Sequence, residues 1–350
     1  MKISDIHAGK PDAKDDISRN KREFMNIDFS EDYEYIILDD GTLEITKFKG
    51  DIINELVIPN SIEGKVVTSI GDSAFEDRSG LTRIKLPSSL TTIGEWAFSG
   101  CSGLTSIELP FSLTTIGNGA FAGCIGLKSI NLPNGLTKIG DYVFADCTGL
   151  TSIKLPDGII RIGDEAFSWC RGLTSIELPI SVTKIGNNPF PNCDNLHTIV
   201  VSPEHQTLYV IDNVLFSKTD NTLICYPAGN ENRKYTVPVE TKGIGWRAFY
   251  HCSLTNIELP NSITTIGDFA FSYCRGLTSI DLPTSLTTIE FMAFSGCIGL
   301  TSIKIPKSVT EIGNYAFSNC SDNLILIVEK DSYAEEYAKK NKIRYKYANA

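Results

Sequence analysis

The sequence predicts a β-rich solenoid, a right-handed coil in which each repeat adds one strand to a parallel sheet. The unit LxxIxLPxSLTxIGxxAFxxCxG recurs with a spacing of 23 residues almost throughout. No unit of this length can bury its apolar residues without a stacked neighbour. The phenylalanine of the AF pair recurs in ten coils, as Phe75, Phe98, Phe121, Phe144, Phe167, Phe190, Phe249, Phe271, Phe294 and Phe317.

Each coil is predicted to have three sides. Apolar and polar residues alternate over Ser106–Leu109, which predicts a strand with one buried face, and Pro110 ends it because proline has no N–H to donate. A second extended piece, Leu113–Ile116, ends at Gly117, which suits a turn. The following stretch, GNGAFAGCIG, is too short for a stable α-helix and is predicted to form a single helical or 3₁₀ turn.

The unit LTSIELPxSLTTIGxxAFxGC resembles the BspA-type, or Treponema-type, leucine-rich repeat over residues 54–323. The resemblance implies a leucine-rich-repeat solenoid. It also implies a bacterial or protozoan protein of the cell surface, or a secreted one, that adheres to host proteins, matrix proteins or other cells. The opening residues, MKISDIHAGKPDAKDD, contain no apolar segment typical of a secretory signal, so a cytoplasmic location is the alternative.

The ends of the chain depart from the repeat. Residues 1–30 are charged and predict a flexible tail, and residues 31–55 predict a β cap with a hairpin turn at Asp40–Gly41. The solenoid is predicted over residues 56–323, with Arg78 in place of cysteine in a partly exposed first coil. Residues 324–350 predict a strand and a helix that cap the last coil.

The C-terminal helix is predicted from its cap and its charge pairs. Ser332 and Glu335 fit a capping box, and the favourable pairs are Glu335–Lys339 and Glu336–Lys340. The apolar stripe expected to seal the last coil is Tyr333, Ala334, Tyr337 and Ala338.

An insertion at about residues 200–234 is the largest departure from the repeat. The stretch LYVIDNVLFSKTDNTLICYP predicts a hairpin of two strands with Lys218–Asn221 at the turn. Insertions of this kind often lie on a functional face of a repeat array, but this one can equally be plain architecture.

Composition and motifs exclude several classes of function. The net charge of −10 and pI near 5.0 argue against nucleic-acid binding, and no apolar run is long enough for membrane insertion. No nucleophile elbow, phosphate loop, dinucleotide fingerprint or carboxylate pair is present, so the chain is predicted not to be an enzyme and to need no cofactor.

The cysteines occupy a repeat position. They are predicted to be buried free thiols stacked in a ladder, although disulfides between adjacent rungs are sterically conceivable. Nine share this position: Cys101, Cys124, Cys147, Cys170, Cys193, Cys252, Cys274, Cys297 and Cys320. The local metal-ligand candidates, His197, Glu204, His205 and Cys225, match no zinc spacing, so no metal is predicted.

Two surfaces are candidates for binding. The outward residues of the first strands form a predicted concave row that includes Glu108, Lys154 and Glu177; it is either a solvated sheet face or a shallow binding surface. Phe111 and Ile180 are expected at its rim. Residues near the AF pair, aromatic but for one methionine, either cover the turns or form a binding edge: Trp96, Tyr142, Trp169, Phe269, Tyr273, Phe291, Met292 and Tyr315.

The sequence therefore predicts a non-enzymatic binding or adhesion scaffold. Its partner is predicted to be a protein, with a glycan possible, recognised through the concave face and the aromatic edge. An intracellular scaffold or effector that mediates protein–protein interaction is the alternative. The sequence indicates no oligomeric state.

Overall fold

The structure is a computed structural model that describes residues 30–50 and 54–348. The tail predicted for residues 1–30 lies almost wholly outside these residues. Most coils contribute two short strands, one before and one after the loop that contains the proline, and successive coils pair these strands in parallel. The result is the predicted leucine-rich-repeat solenoid.

The first strands stack in register, with Ile84 opposite Ile107 and Lys85 opposite Glu108. Asn131 and Lys154 continue the stack as single bridged residues. The strands are Asn54–Val57, Leu81–Lys85, Ser106–Glu108, Ser175–Leu178, Thr198–Val201, Lys234–Thr236, Asn256–Glu258, Ser279–Asp281, Ser302–Lys304, Ile325–Val328 and Arg344–Tyr347. The last of these follows the C-terminal helix and was not expected.

The second strands stack beside the first, and each places an isoleucine or a leucine in the core. They are Lys65–Ile70, Thr92–Ile93, Thr115–Ile116, Lys138–Ile139, Arg161–Ile162, Lys184–Ile185, Thr222–Cys225, Gly243–Ile244, Thr265–Ile266, Thr288–Ile289 and Glu311–Ile312. The expansion around Gly64 forms a small hairpin between Ser61–Ile62 and Lys65–Ile70.

The core consists of stacked side chains in two clusters, one in the N-terminal half and one in the C-terminal half of the solenoid. The AF phenylalanines stack ring on ring, with centroids 5.6 Å apart between Phe98 and Phe121 and nearly parallel planes. The N-terminal stack is closed by Phe48, whose ring lies 5.6 Å from Phe75. At the other end Tyr337 of the helix packs edge-on against Phe317. Each coil therefore completes the core of its neighbours.

The N-terminal cap is the antiparallel hairpin Tyr33–Ile37 and Leu43–Phe48. Leu43–Phe48 also pairs in parallel with Lys65–Ile70, so the hairpin extends the stack of second strands. Arg78, which replaces the ladder cysteine, donates to the carbonyl of Phe48 and lies over its ring. The arginine thus ties the first coil to the cap.

The segment after each second strand forms short turns closed by hydrogen bonds between residues three apart, like those of a 3₁₀ turn, and it buries Ala120, Phe121 and Cys124 as predicted. It is not a continuous helical turn, because its alternate N–H groups donate across to the next coil. Phe98 N–H, for example, donates to Ala120 O, whereas Ser99 N–H donates back to Trp96 O. Pairing with the neighbouring coil replaces the bonds that a helix would make within itself.

The hairpin predicted in the insertion is confirmed with its turn at Lys218–Asn221. The predicted number of strands is wrong, because the insertion has three: Leu208–Ile211, Val214–Ser217 and Thr222–Cys225. Asp212 and Asn213 both adopt positive φ and form an additional tight turn. The third strand pairs in parallel with Gly243–Ile244, so it serves as the second strand of its own coil.

The middle strand of the insertion joins the two halves of the core. Val214, Leu215 and Phe216 are all fully buried. Leu215 packs with the N-terminal core, whereas Val214 and Phe216 pack with the C-terminal core. Because the strand is covered on both faces, it has an architectural role.

The C-terminal helix, Tyr333–Lys340, has Ser332 as its N-cap. The predicted capping box is half right: Ser332 Oγ accepts from Glu335 N–H, but the Glu335 carboxylate accepts from Asp331 N–H, one residue before the cap. The Glu335–Lys339 pair forms at 2.5 Å. No Glu336–Lys340 ion pair is found among the described residues. The buried stripe is also narrower than predicted, because Tyr333 is exposed.

Candidate functional site

The turn segments that follow the second strands form one edge of the solenoid, which we call the turn edge. It comprises residues 71–79, 94–102, 117–125, 140–148, 163–171 and 186–194 in the N-terminal half, and 245–253, 267–275, 290–298 and 313–321 in the C-terminal half. The remaining candidate residues lie on other sides of the coils.

Two positions in most turn segments, four residues apart, have a left-handed backbone. Inter-coil hydrogen bonds hold this conformation: Trp96 N–H donates to Asn118 O at 2.9 Å. Gly100 N–H, four residues later, donates to Ala122 O at 2.7 Å. The stacking of the coils therefore imposes positive φ at these positions, whatever side chain they carry.

Six of the seven aromatic candidates occupy these left-handed positions, whereas Phe291 does not. Glycine favours such a backbone, and it fills the same positions at Gly100, Gly119, Gly123 and Gly296. A residue with a Cβ loses roughly 1–2 kcal/mol there through contact with its own carbonyl. The six are Trp96 (φ 56°), Tyr142 (58°), Trp169 (61°), Phe269 (53°), Tyr273 (58°) and Tyr315 (59°).

The aromatic side chains remain accessible despite their contacts with one another. Trp96 and Tyr142 are each 38% exposed and Tyr315 is 60% exposed. The Trp96 ring lies over Gly119, where a Cβ would come within 2.3 Å of it, and reaches Tyr142 with ring centroids 6.4 Å apart. Tyr273 lies over Gly296 in the same way. Rings from different coils thus form one surface.

In the C-terminal half the aromatic contacts are mostly edge to face. The ring centroids of Phe269 and Phe291 lie 5.3 Å apart, and those of Phe291 and Tyr315 lie 6.0 Å apart. Tyr250 contacts Tyr273 at 5.8 Å. This geometry suits aromatic rings because the positive edge of one meets the negative face of the next.

A contact that sequence reasoning missed joins the two halves of the turn edge across the insertion. Arg247 Nη1 lies 3.1 Å from Glu165 Oε2, and both side chains are largely shielded from solvent. The Arg247 guanidinium also lies 4.4 Å from the Trp246 ring, 4.9 Å from Tyr250 and 5.2 Å from Phe269. Arg247 and Glu165 share the repeat position of Trp96, which is the signal that could have identified them.

The two halves of the turn edge differ in charge. The C-terminal half is balanced, with two acidic and two basic residues, whereas the N-terminal half has nine carboxylates against Arg78 and Arg171. We call this N-terminal half the acidic zone. Its carboxylates are Asp72, Glu76, Asp77, Glu95, Asp141, Asp146, Asp164, Glu165 and Asp194.

Some of these carboxylates hold the coils together. Asp141 Oδ1 accepts from Asp164 N–H of the next coil at 2.9 Å. Asp72 Oδ1 accepts in the same way from Glu95 N–H of the coil that follows it. Glu76 and Asp146 make no such bond and are exposed. The acidic zone therefore contains structural carboxylates and free ones.

The other candidate surface follows the first strands. Glu108, Lys154 and Glu177 are exposed as predicted. Phe111 is 97% exposed and Ile180 is 53% exposed, both on loops between the first and second strands. These loops lie on a different side of the coil, so the structure does not bring the two rim residues together with the turn edge.

The side chains considered for metal binding have other roles. His205 is buried, and its Nδ1 accepts from the N–H groups of Thr207 and Leu208. Burial lowers the His205 pKa. Cys225 is part of the N-terminal core. In residues 30–50 and 54–348 no three histidine, cysteine or carboxylate side chains are grouped to hold a metal ion.

All ten cysteines are free thiols, and those of the ladder point inward. Cys124 Sγ donates to the carbonyl of Phe98 in the preceding coil, and Cys147 Sγ donates to that of Phe121. Two rungs are in direct contact, since the Sγ atoms of Cys252 and Cys274 lie 3.3 Å apart. The repeat explains the cysteines without any chemistry at this position.

The model of the BspA type leucine rich repeat region matches residues 42–148, 119–234 and 242–341. The chain belongs to the BspA-type leucine-rich repeat family. Members of this family are repeat scaffolds rather than enzymes. Within the described residues, no helix has the length and apolar character needed to cross a membrane.

Solved structures of three bacterial proteins resemble the chain over most of its length. A leucine rich cell surface protein from Faecalibacterium prausnitzii is 31% identical, with a TM-score of 0.65, covering 88% of this chain and 95% of that one. A leucine-rich repeat protein from Eubacterium ventriosum is 25% identical with a TM-score of 0.65, covering 87% and 78%. The pneumococcal vaccine antigen PcpA is 25% identical with a TM-score of 0.61, covering 85% and 79%. No curated protein matches the chain significantly.

Proposed function

We propose that this BspA-type chain is a binding scaffold of the cell surface that recognises a protein partner through the aromatic residues of its turn edge. One observation carries the proposal: bulky aromatic side chains occupy left-handed positions where the backbone favours glycine. Strain of this kind is typically retained where function requires it. Exposed aromatic residues are also enriched at the centres of protein interfaces.

The coils do not need these aromatic residues as a cover. Gly100 and Gly123 stand at the repeat position of Trp169 and Tyr273, and their coils close with the same inter-coil hydrogen bonds. A solenoid with glycine or asparagine throughout these positions would avoid the strain. The aromatic residues are therefore better explained by what they contact outside the chain.

A protein partner fits the turn edge better than a glycan does. Sugars stack on open aromatic faces, whereas Trp96 and Tyr142 stack on each other. Phe291 is in edge-to-face contact with Phe269 and Tyr315. Rings that contact one another leave fewer open faces for a sugar, whereas a protein partner can also meet ring edges with its carbonyl oxygens and side chains.

Binding to a panel of purified extracellular proteins and to a glycan array tests the proposal. The edge variant carries Trp169→Asn, Tyr273→Asn and Tyr315→Asn, because asparagine tolerates a left-handed backbone. The matched face variant carries Glu108→Gln, Lys154→Gln and Glu177→Gln on the first strands. We expect a protein to bind wild type and the face variant but not the edge variant. Loss in the face variant alone, or binding only to glycans, would overturn the assignment of this surface.

The location is proposed from the Faecalibacterium prausnitzii structure, which is that of a cell surface protein. Protease treatment of intact cells of the source organism tests it. A surface protein is digested while a cytosolic marker survives. Protection of both would favour the intracellular scaffold or effector instead.

A further inference from the structure

We infer that the acidic zone of the turn edge binds an arginine-bearing segment of the partner protein. This inference rests on the proposed function and names the chemistry that the partner must carry. It follows from the contacts that the chain's own arginines make on this edge, and from the excess of carboxylates that these arginines do not neutralise.

Arg247 shows how the turn edge accommodates a guanidinium. The group is paired with the Glu165 carboxylate and contacts the rings of Trp246, Tyr250 and Phe269. Its side chain is only 21% exposed. Carboxylates bind the planar donor fork of arginine, and aromatic rings stack on its weakly hydrated faces.

Arg171 is a second example, within the acidic zone itself. Its guanidinium lies 4.8 Å from the centre of the Trp169 ring, and its Nε lies 3.2 Å from Asp194 Oδ2. A guanidinium that contacts aromatic rings and a carboxylate at the same time therefore occurs at two separate points of the edge.

The remaining part of the acidic zone has these components without a guanidinium. Trp96 and Tyr142 lie in segments that also carry Glu95, Asp141 and Asp146. Asp141 is paired with Arg161. Glu95 Oε1 accepts from Asn118 Nδ2 at 3.2 Å. Neither Glu95 nor Asp146 has an ion-pair partner among the residues that the structure describes. Rings and carboxylates without a cationic partner are thus available together.

The charge of the zone points to a cationic partner. The zone has nine carboxylates and only two basic residues. Arg78 donates to the Phe48 carbonyl, and Arg171 is paired with Asp194. The uncompensated negative potential attracts cations and repels acidic segments. Arginine fits better than lysine because it can pair with carboxylates and stack on rings at the same time.

A second copy of the chain is the competing occupant, because its C-terminal end is basic. Lys340, Lys342, Arg344 and Lys346 are exposed there, and no ion pair is found for them in the described parts of the chain. Arg344 and Lys346 lie on an edge strand, where charged side chains commonly prevent strand pairing. We therefore interpret these basic residues as protection of the exposed sheet edge against strand pairing. Self-association of the chain is then one outcome of the test.

The probe is a labelled peptide of alternating arginine and serine, compared with lysine–serine and citrulline–serine peptides of the same length. Citrulline keeps the shape of arginine but has no charge. Affinity is measured for the wild-type chain and for two variants with the same change in charge. The zone variant is Glu76→Gln, Glu95→Gln and Asp146→Asn. The remote variant is Glu204→Gln, Glu231→Gln and Glu240→Gln, all outside the turn edge.

We expect the arginine peptide to bind more tightly than the lysine peptide, and the citrulline peptide not to bind. The zone variant should weaken binding at least about tenfold, whereas the remote variant should change it less than about twofold. Equal weakening by both variants, or no binding of the arginine peptide, would overturn the inference. Salt-sensitive self-association that the zone variant abolishes, without peptide binding, would identify a second copy as the occupant.

The two proposals fail in different ways. If a panel protein binds and depends on the edge variant but not on the zone variant, the proposed function stands and the arginine inference is wrong. If the arginine peptide binds as expected but no panel protein depends on the edge variant, the proposed function loses its support.

Discussion

The ladder thiols are shielded side chains rather than reactive ones. Each Sγ faces the core, and burial is the main cause that raises the pKa of these thiols. It raises the pKa of Cys101 and Cys147 to about 12 and that of Cys320 to about 11. Because only the thiolate is a good nucleophile, these groups are nearly inert at neutral pH.

We therefore predict that the native chain reacts very slowly with a thiol reagent at mildly alkaline pH. After denaturation without reductant, all ten cysteines should react. Mass spectrometry of the alkylated chain counts the modified sites in each state. A denatured chain that still lacks pairs of modifications would show that adjacent rungs form disulfides.

Backbone strain at single residues gives a second prediction. Tyr315 is 60% exposed with φ 59°, so Tyr315→Asn removes little buried area and suits the backbone better. We expect the free energy of unfolding to rise by about 1 kcal/mol. Tyr333→Asn is the control, since Tyr333 is also exposed but lies in a helix. A loss of stability in Tyr315→Asn would mean that the ring has a structural role.

The C-terminal helix depends on one carboxylate. Lys339, the Asp331 N–H and the Tyr347 hydroxyl all bond to Glu335, and together they lower its pKa to about 2. A lowered pKa means that the charged form stabilises the fold. This contribution is complete above the unfolded-state pKa of about 4.3 and is lost as the pH falls towards 2.

Glu335→Gln is therefore expected to lower the midpoint of denaturant unfolding at neutral pH, with a difference from wild type that shrinks between pH 4 and pH 2. Denaturant titrations across this range measure it. Glu336→Gln, on the exposed side of the same helix, is expected to have little effect at any pH. A Glu335→Gln defect that stays constant with pH would contradict the assigned charge interactions.

The insertion strand is predicted to be essential for coupling the two halves of the solenoid. Phe216→Ala empties a fully buried site and should cost roughly 3–5 kcal/mol. Since coils interact mainly with their neighbours, the weakened junction should split one unfolding transition into two. Tyr209→Ala removes a partly exposed ring that lies 5.0 Å from Phe216 and is the control. One shared transition in Phe216→Ala would show that the halves are coupled elsewhere.

Across the whole molecule, periodicity made the coils predictable. Phe98 and Phe121 recur at the repeat spacing, so their stacking could be expected from the sequence alone. The insertion was misassigned because Asp212 and Asn213 form a tight turn without the usual glycine. The left-handed backbone at Trp96 was hidden by its bulky side chain, although Gly119 at the same position carried the signal. Glu165 and Arg247 are 82 positions apart, so the repeat position that they share marks each residue but does not reveal their contact.

The aromatic residues of the turn edge are proposed to serve binding rather than folding. The free energy of unfolding and the affinity for the protein partner, measured together on wild type and on the edge variant, distinguish these two roles. We expect Trp169→Asn, Tyr273→Asn and Tyr315→Asn to leave stability unchanged or raised while binding is lost. A variant that is clearly destabilised but still binds with wild-type affinity would show that the aromatic residues serve folding.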